Sequence, residues 1–394
     1  MSGIRTVCLP GFEALHAALA SHATSCGFAL VQDAQSGVFS SIEWFENLAR
    51  HGLAQPDGQP PQLRLLLATD RQTGHAACLP MLHGLHWASL SNYYSGLFDV
   101  IRWSPQASGS DATTGLAAAG PVSPQLANKP SLKLDADTLL EQALVHAMRQ
   151  HLPQHQTVTF SPLDSGATFT AALEAGLQQT GFRVGRYFVF ANWYLDVGTT
   201  TWGAYFGALP PPLRNGIERG RRRLAKFAWS LRIQQTVDDQ LEPSIQHFVS
   251  VYNQSWKSPE PNPGFIPNLI RLAAALGWLR LGILQLGGQP IAAQLWLVHH
   301  RKAYIFKLAY VKGHERFSPG SVLTSGLMEH VLDTDKVSQV DYLSGDDAYK
   351  KDWMSHRRER IGLVAFDKQS LGGNWQALRH FTHQYVQQLR KSVV

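Results

Sequence analysis

Cysteine is scarce: Cys8, Cys26 and Cys78 are the only three in 394 residues, and none stands at Cys-x-x-Cys spacing. An odd, scattered set excludes a disulfide framework and a cysteine-rich zinc site, and it points to a reducing compartment. Long apolar runs are missing too. Nothing approaches the roughly 18 residues of a membrane span. The opening stretch MSGIRTVCLPGFEALHAALA lacks the continuous apolar core of a signal peptide. A cytoplasmic protein without a transmembrane segment is expected. Charged residues are thin at 16%, and Lys plus Arg exceed Asp plus Glu by 35 to 29. That balance permits an anionic partner without requiring one. No Gly-x-Ser-x-Gly or Walker-type motif occurs. His299-His300 has no carboxylate at ligand spacing, so no metal site is expected.

What is present is apolar and punctuated by turns. An apolar fraction of 44% over 394 residues suffices for a sizeable core and suggests two or three domains. Residues 27–33 read as a strand. Ser40 with Glu43 forms a capping-box pattern, opening a helix that runs to about His51. Strands Leu63–Ala68 and Ala76–Leu82 flank a polar hairpin loop, and 104–130 is a long Ser-, Ala-, Gly- and Pro-rich loop. A helix over 137–151, a strand over 157–160, a helix over 167–179 and a strand pair around 183–196 complete the first half.

Residues 197–211 form a bridge ending in Pro210-Pro211-Pro212. The basic helix 213–226 follows, with five Arg and one Lys against one Glu. Next come a strand (230–235), helices near 241–256 and 265–276, and a hairpin (279–298) turned at Gly287-Gly288. A strand (303–310), a helix (321–332), strands 339–343 and 361–367 and a helix (374–390) close the chain. The second half repeats the element order of the first without residue identity. Two related α/β domains are expected.

Two stretches carry candidate chemistry. Ser318-Pro319-Gly320-Ser321 joins a strand to a helix. Bare N–H groups at such a start can hold a phosphate, although an ordinary helix start with Pro reads the same way. Ser344 to Lys350 follows a strand end, where open α/β sheets place their sites. There Asp346 can orient or deprotonate an amine, and Tyr349 can protonate a leaving thiolate. The alternative is a helix cap with solvated lysines. Arg219, Arg222 and Arg223 lie on more than one face of the basic helix. They suit an anionic ligand or RNA, or simple solvation, and no aromatic residues interleave with them.

The succession GGQPIAA, AYIFKLAY, ERFSPG, an apolar helix and VDYLSGDDAYKKDW resembles the CelD/FemAB-like branch of the GNAT acyltransferase superfamily. Ser318-Pro319-Gly320, Gly345-Asp346, Tyr349-Lys350 and Trp353 carry the likeness, which is best over 210–367. It implies an α/β (α+β) fold of two tandem GNAT-like domains, 1–197 and 198–394, each a mixed twisted sheet flanked by helices. It implies acyl transfer to an amine of a small molecule or of a cell-envelope or polysaccharide precursor. The donor would be acyl-CoA, a co-substrate rather than a resident cofactor, or an aminoacyl-tRNA. A non-catalytic role in exopolysaccharide biosynthesis is a third reading. The resemblance assigns catalysis to Asp346, Tyr349, Lys307 and Tyr310. It assigns donor binding to Arg316, Phe317, Ser318, Gly320 and Ser321, with tRNA or another anion at Arg219, Arg222 and Arg223. Pro319 stands where such a loop carries Gly and removes one backbone donor. Acceptor choice is expected in loops such as 91–130 and 257–266.

Overall fold

The computed structural model describes residues 3–33, 37–53, 62–84, 86–106, 136–151 and 157–368. The N-terminal half runs β1 (Ile4–Leu9), α1 (Phe12–Cys26), β2 (Leu30–Gln32), α2 (Ile42–Asn47), β3 (Gln62–Asp70), β4 (Ala76–His83), β5 (Trp87–Ser89) and β6 (Ile101–Pro105). It continues with α3 (Ala136–His151), β7 (Val158–Asp164), α4 (Thr168–Gln179) and β8 (Phe182–Asp196). Helices α5 (Trp202–Ala208) and α6 (Pro211–Leu224) lead into the second half. That half runs β9 (Trp229–Gln234), α7 (Leu241–Asn253), α8 (Phe265–Ala275), β10 (Leu279–Leu286), β11 (Gln289–His299) and β12 (Lys302–Tyr310). Then come α9 (Pro319–Asp333), β13 (Gln339–Ser344), α10 (Lys350–Trp353) and β14 (His356–Asp367).

Three local expectations need correction. Ser41, not Ser40, caps α2, and its hydroxyl accepts the Trp44 N–H at 3.2 Å. The stretch 183–196 is one strand rather than a pair. β8 has a hydrogen-bonded partner on each edge, β14 along its length and β13 near its end, so no turn is needed to satisfy it. The bridge contains α5, which starts at Thr201, whose hydroxyl accepts the Ala204 N–H. The helix expected over 374–390 and most of the loop 104–130 lie outside the described residues.

One mixed sheet joins both halves, in the order β1-β3-β4-β5-β7-β14-β8-β13-β12-β11-β10-β9, with β6 also paired to β4 and β2 paired to β6. Its middle is an exchange. β14, last of the described strands, lies between β7 and β8, and β8 lies between β14 and β13. A cut at 197/198 therefore crosses paired strands.

β11 is buried on both faces from Ile291 to Leu297, which requires helices on each side. Helices α7 and α8 share a core with the N-terminal half through residues such as Trp44, Phe265 and Leu295. Helices α5, α6 and α9 cover the other face over Ile217, Trp296 and Leu323. Gly220 lets α6 come close to α9, because a side chain there would collide with the Phe317 carbonyl.

Candidate active site

β12 and β13 pair in parallel only where Lys302–Tyr304 meets Gln339–Asp341. Beyond that they separate, and the cause lies in β13. Leu343 adopts a left-handed φ of 54°, and its N–H is taken at 2.7 Å by the Asp341 carboxylate instead of by a strand. Asp341 is buried and would be costly alone. Asn192 donates to it at 2.6 Å, Arg358 pairs with it, and Arg360 stands 4.0 Å away while also pairing with Asp164. This cluster sits where the two halves interleave and props the gap open. β12 also carries a bulge, with Leu295 opposite Lys307 but Trp296 opposite Ile305.

At one end of the gap is the start of α9. Ser318 has φ 49° and ψ 47° and makes no side-chain cap. Its carbonyl takes the Val322 N–H at 2.9 Å, and Pro319 has no N–H. The N–H groups of Gly320 and Ser321 are thus left bare, with the helix dipole behind them. Gln294, buried on β11, braces this turn. It donates at 3.0 Å to the Gly320 carbonyl and at 2.8 Å to the Thr324 hydroxyl, while Trp296 donates to it at 2.9 Å. A cavity of about 370 Å³ opens here, lined by Tyr310, Ser318, Gly320, Ser321, Thr324 and Tyr349 among others.

Leu308, Tyr342 and Tyr349 wall both this cavity and a second one of about 220 Å³. The second chamber takes Lys257, Lys307, Asp347 and Lys350 from the C-terminal half and Tyr93 and Tyr94 from the N-terminal half. Lys307 Nζ lies 2.8 Å from Glu260, 4.4 Å from the Tyr93 ring centre and 5.2 Å from that of Tyr94. Lys350 donates to the Ser344 carbonyl and lies 3.5 Å from Asp347, and burial pulls its pKa down. Burial first and the Lys307 charge second lower Lys257 to about 8. Burial, then Asp347, pushes the Tyr349 hydroxyl up to about 12. An outer vestibule of about 570 Å³ adjoins, lined by Tyr252, Trp256, Lys257 and Glu260.

Residues 212–351 span the strands and helix that build both chambers, and they match the family model described as an acetyltransferase (GNAT) domain. This segment is similar to GNAT domains. Over 94% of its length the chain superposes on 99% of the crystal structure of FemX, with TM-score 0.55 and 9% identity. The expected tandem GNAT fold is the fold observed. The C-terminal domain (DUF2156) of a putative lysylphosphatidylglycerol synthetase from Agrobacterium fabrum aligns with TM-score 0.47 and 13% identity, covering 93% of this chain and 96% of that one. A tandem GNAT protein from the clavulanic acid biosynthesis pathway aligns with TM-score 0.42 and 12% identity, covering 92% and 98%. No curated protein matches the chain.

The matched segment brings together only part of the expected site. Lys307 lines the small chamber, Tyr310 the large one, and Tyr349 the wall between. Ser318, Gly320 and Ser321 line the large chamber, whereas Arg316 and Phe317 line neither. Phe317 is buried edge-on to Phe227 at 5.8 Å, and the exposed Arg316 lies over its ring at 4.6 Å. Asp346 also lines neither chamber. It accepts from Trp193 Nε1 at 2.7 Å and from Arg357 at 2.9 Å. Hydrogen bonds from Arg357, then Trp193, hold its carboxyl below the usual range, which makes it a poor proton acceptor. Asp347, one residue on, faces the small chamber instead.

On α6, Arg223 donates to the Arg316 carbonyl and Arg221 to the Ser325 hydroxyl at 3.0 Å, while Arg219 and Arg222 are exposed. Gln294 and Tyr342 were not singled out from the sequence, and Lys257 and Glu260 only as part of the loop 257–266 expected to set acceptor choice. A tyrosine pair beside Gly96 and a lysine in a proline-rich loop were the only signals for the chamber walls. Among the described residues, no helix is long and apolar enough to cross a membrane, and no group of three or more His, Cys, Asp or Glu is placed to hold a metal.

Proposed function

We propose that this chain is an N-acyltransferase that moves an acyl group from acyl-CoA to the amine of a small molecule. One observation carries the reading: two cavities share the Tyr349 wall, and one of them ends at the bare N–H groups of a fifteen-residue helix. The large cavity suits the thioester arm, with its pyrophosphate at Gly320 and Ser321. Arg219 and Arg222 stand on α6, which packs against the same loop, and add positive charge for the nucleotide phosphates. The small cavity takes the acceptor.

In this reading the amine nitrogen attacks the thioester carbonyl, and the C–S bond of the tetrahedral intermediate breaks. Asp347 takes the proton that the amine loses. Tyr349 gives its proton to the leaving thiolate, and its high pKa keeps that proton in place until then. Holding both reactants across one wall supplies up to about 7–11 kcal/mol of the barrier. Calorimetric titration with acetyl-CoA and longer acyl-CoAs is expected to show saturable binding, and thiol release to follow when amines are added. No binding by any of them sinks the donor assignment. An aminoacyl-tRNA donor predicts instead binding of tRNA that charge reversal of Arg219 and Arg222 abolishes.

A further inference from the structure

The small chamber is electrostatically unbalanced. Three ammonium groups line it, Lys257, Lys307 and Lys350, against one carboxylate of its own, Asp347. Lys307 is compensated from behind by Glu260 at 2.8 Å. Lys350 is compensated by Asp347 at 3.5 Å and by the Ser344 and Gly345 carbonyls. Lys257 has no carboxylate within ion-pair reach among the described residues. Its Nζ lies over the Tyr252 and Trp256 rings, at 5.8 and 5.9 Å. It lines both the chamber and the vestibule, so an acceptor entering through the vestibule passes it.

A simple amine, arriving as an ammonium ion, meets one uncompensated like charge here, that of Lys257, because Glu260 and Asp347 offset the other two. An amine that also carries an anion turns the same field into attraction. The field then favours loss of the ammonium proton, which the attack requires. We propose that the chamber selects amines bearing a carboxylate or phosphate, and that Lys257 is the residue that binds that anion. The amine half of this statement rests on the acyltransfer reading above, whereas the anion half rests on the chamber's charge alone.

Lys257 is faced by Lys307 from β12, by Asp347 and Lys350 from the turn after β13, and by Glu260 from its own loop. With its pKa lowered to about 8, the empty chamber holds Lys257 charged below that pH and loses the charge above it. A bound anion stabilises the charged form. Affinity for anionic acceptors therefore falls as pH rises past about 8.

Paired probes test this: phenylalanine against phenethylamine, and glucosamine 6-phosphate against glucosamine. Each is titrated calorimetrically without donor, then assayed with acetyl-CoA. In the wild type at least one member that carries an anion is expected to bind about tenfold or more tightly than its anion-free partner. That ratio collapses toward one in Lys257→Gln and is retained in Lys257→Arg, with both variants melting like the wild type. A preference in the first pair identifies carboxylate, and one in the second identifies phosphate. The proposal is overturned if neither anion-bearing probe outbinds its anion-free partner, or if the ratio survives in Lys257→Gln. Lys257-dependent binding without acetyl transfer overturns the acyltransfer reading alone. Transfer to both members with equal KM overturns the anion selection alone.

Discussion

In the C-terminal half, β12 and β13 part after Tyr304 and Asp341, and the space between them opens into two chambers. In the N-terminal half the corresponding parallel pair is β5 with β7, joined at Trp87–Val158 and Ala88–Thr159. Serines close that pair just beyond. The Ser91 hydroxyl donates to the Ser161 carbonyl, and the Ser89 hydroxyl accepts the Ser161 N–H at 3.1 Å. The two helices that follow differ in the same sense. The first turns of α3 border a cavity of about 310 Å³, but they bring Asp137 and Glu141 to it, where α9 brings Gly320 and Thr324.

Glu141 is buried against Arg102, which also holds Asp99, and burial raises both carboxyls. Acids in those turns answer the helix dipole internally and repel a phosphate. The difference teaches that one order of elements yields a site or a plug according to a few side chains at a strand gap and a helix start. The N-terminal half contributes instead by lending Tyr93 and Tyr94 to its neighbour's chamber.

The largest way to break this comparison is Asp341→Ala. It removes the group that diverts the Leu343 N–H and leaves Arg358 and Arg360 short of a partner. A loss of ~3–5 kcal/mol is expected, read as a shift in the denaturant midpoint. An unmoved midpoint means that the cluster does not hold the gap. Gly320→Asp gives α9 the acid that α3 already has. A Cβ there meets the Tyr310 ring at an ordinary 3.5 Å, so the fold should survive. Acyl-CoA affinity is expected to fall about 100-fold, ~2.7 kcal/mol, by calorimetry. Retained affinity places the donor elsewhere. Tyr349→Phe, on the wall that the plugged half lacks, should lower kcat about 100-fold with donor affinity kept. An unchanged kcat removes Tyr349 from proton transfer. The smallest effect belongs to the closed half: Ser91→Ala should cost ~1 kcal/mol of stability and leave acyl-CoA binding intact. A lost donor site in that variant would mean that the two gaps communicate.

Much of the frame is written locally. The hairpin of β10 and β11 shows in its apolar runs and in Gly287-Gly288, both with positive φ. The start of α9 shows in Pro319, at a helix position where a missing N–H costs nothing. Lys307 and Tyr310, which line the two cavities, could be singled out because both sit on one strand beside the loop that the family likeness marks.

Which acid faces the chamber was not written locally. Asp346 and Asp347 are adjacent and alike. Gly345 at φ 109° and the Arg357 and Trp193 side chains turn the first of them aside. Nor did periodicity reveal the exchange of β8 and β14, because a strand's alternation says which face is buried and not which strand lies beside it. Lys307 and Tyr93 meet at 3.3 Å across 214 residues of chain. The sequence by itself determined most of the elements and the turn that opens α9, since those depend on neighbours along the backbone. The open gap, the charged chamber and the choice of carboxylate were decided only by tertiary structure, since each depends on side chains that approach one another from separate parts of the fold.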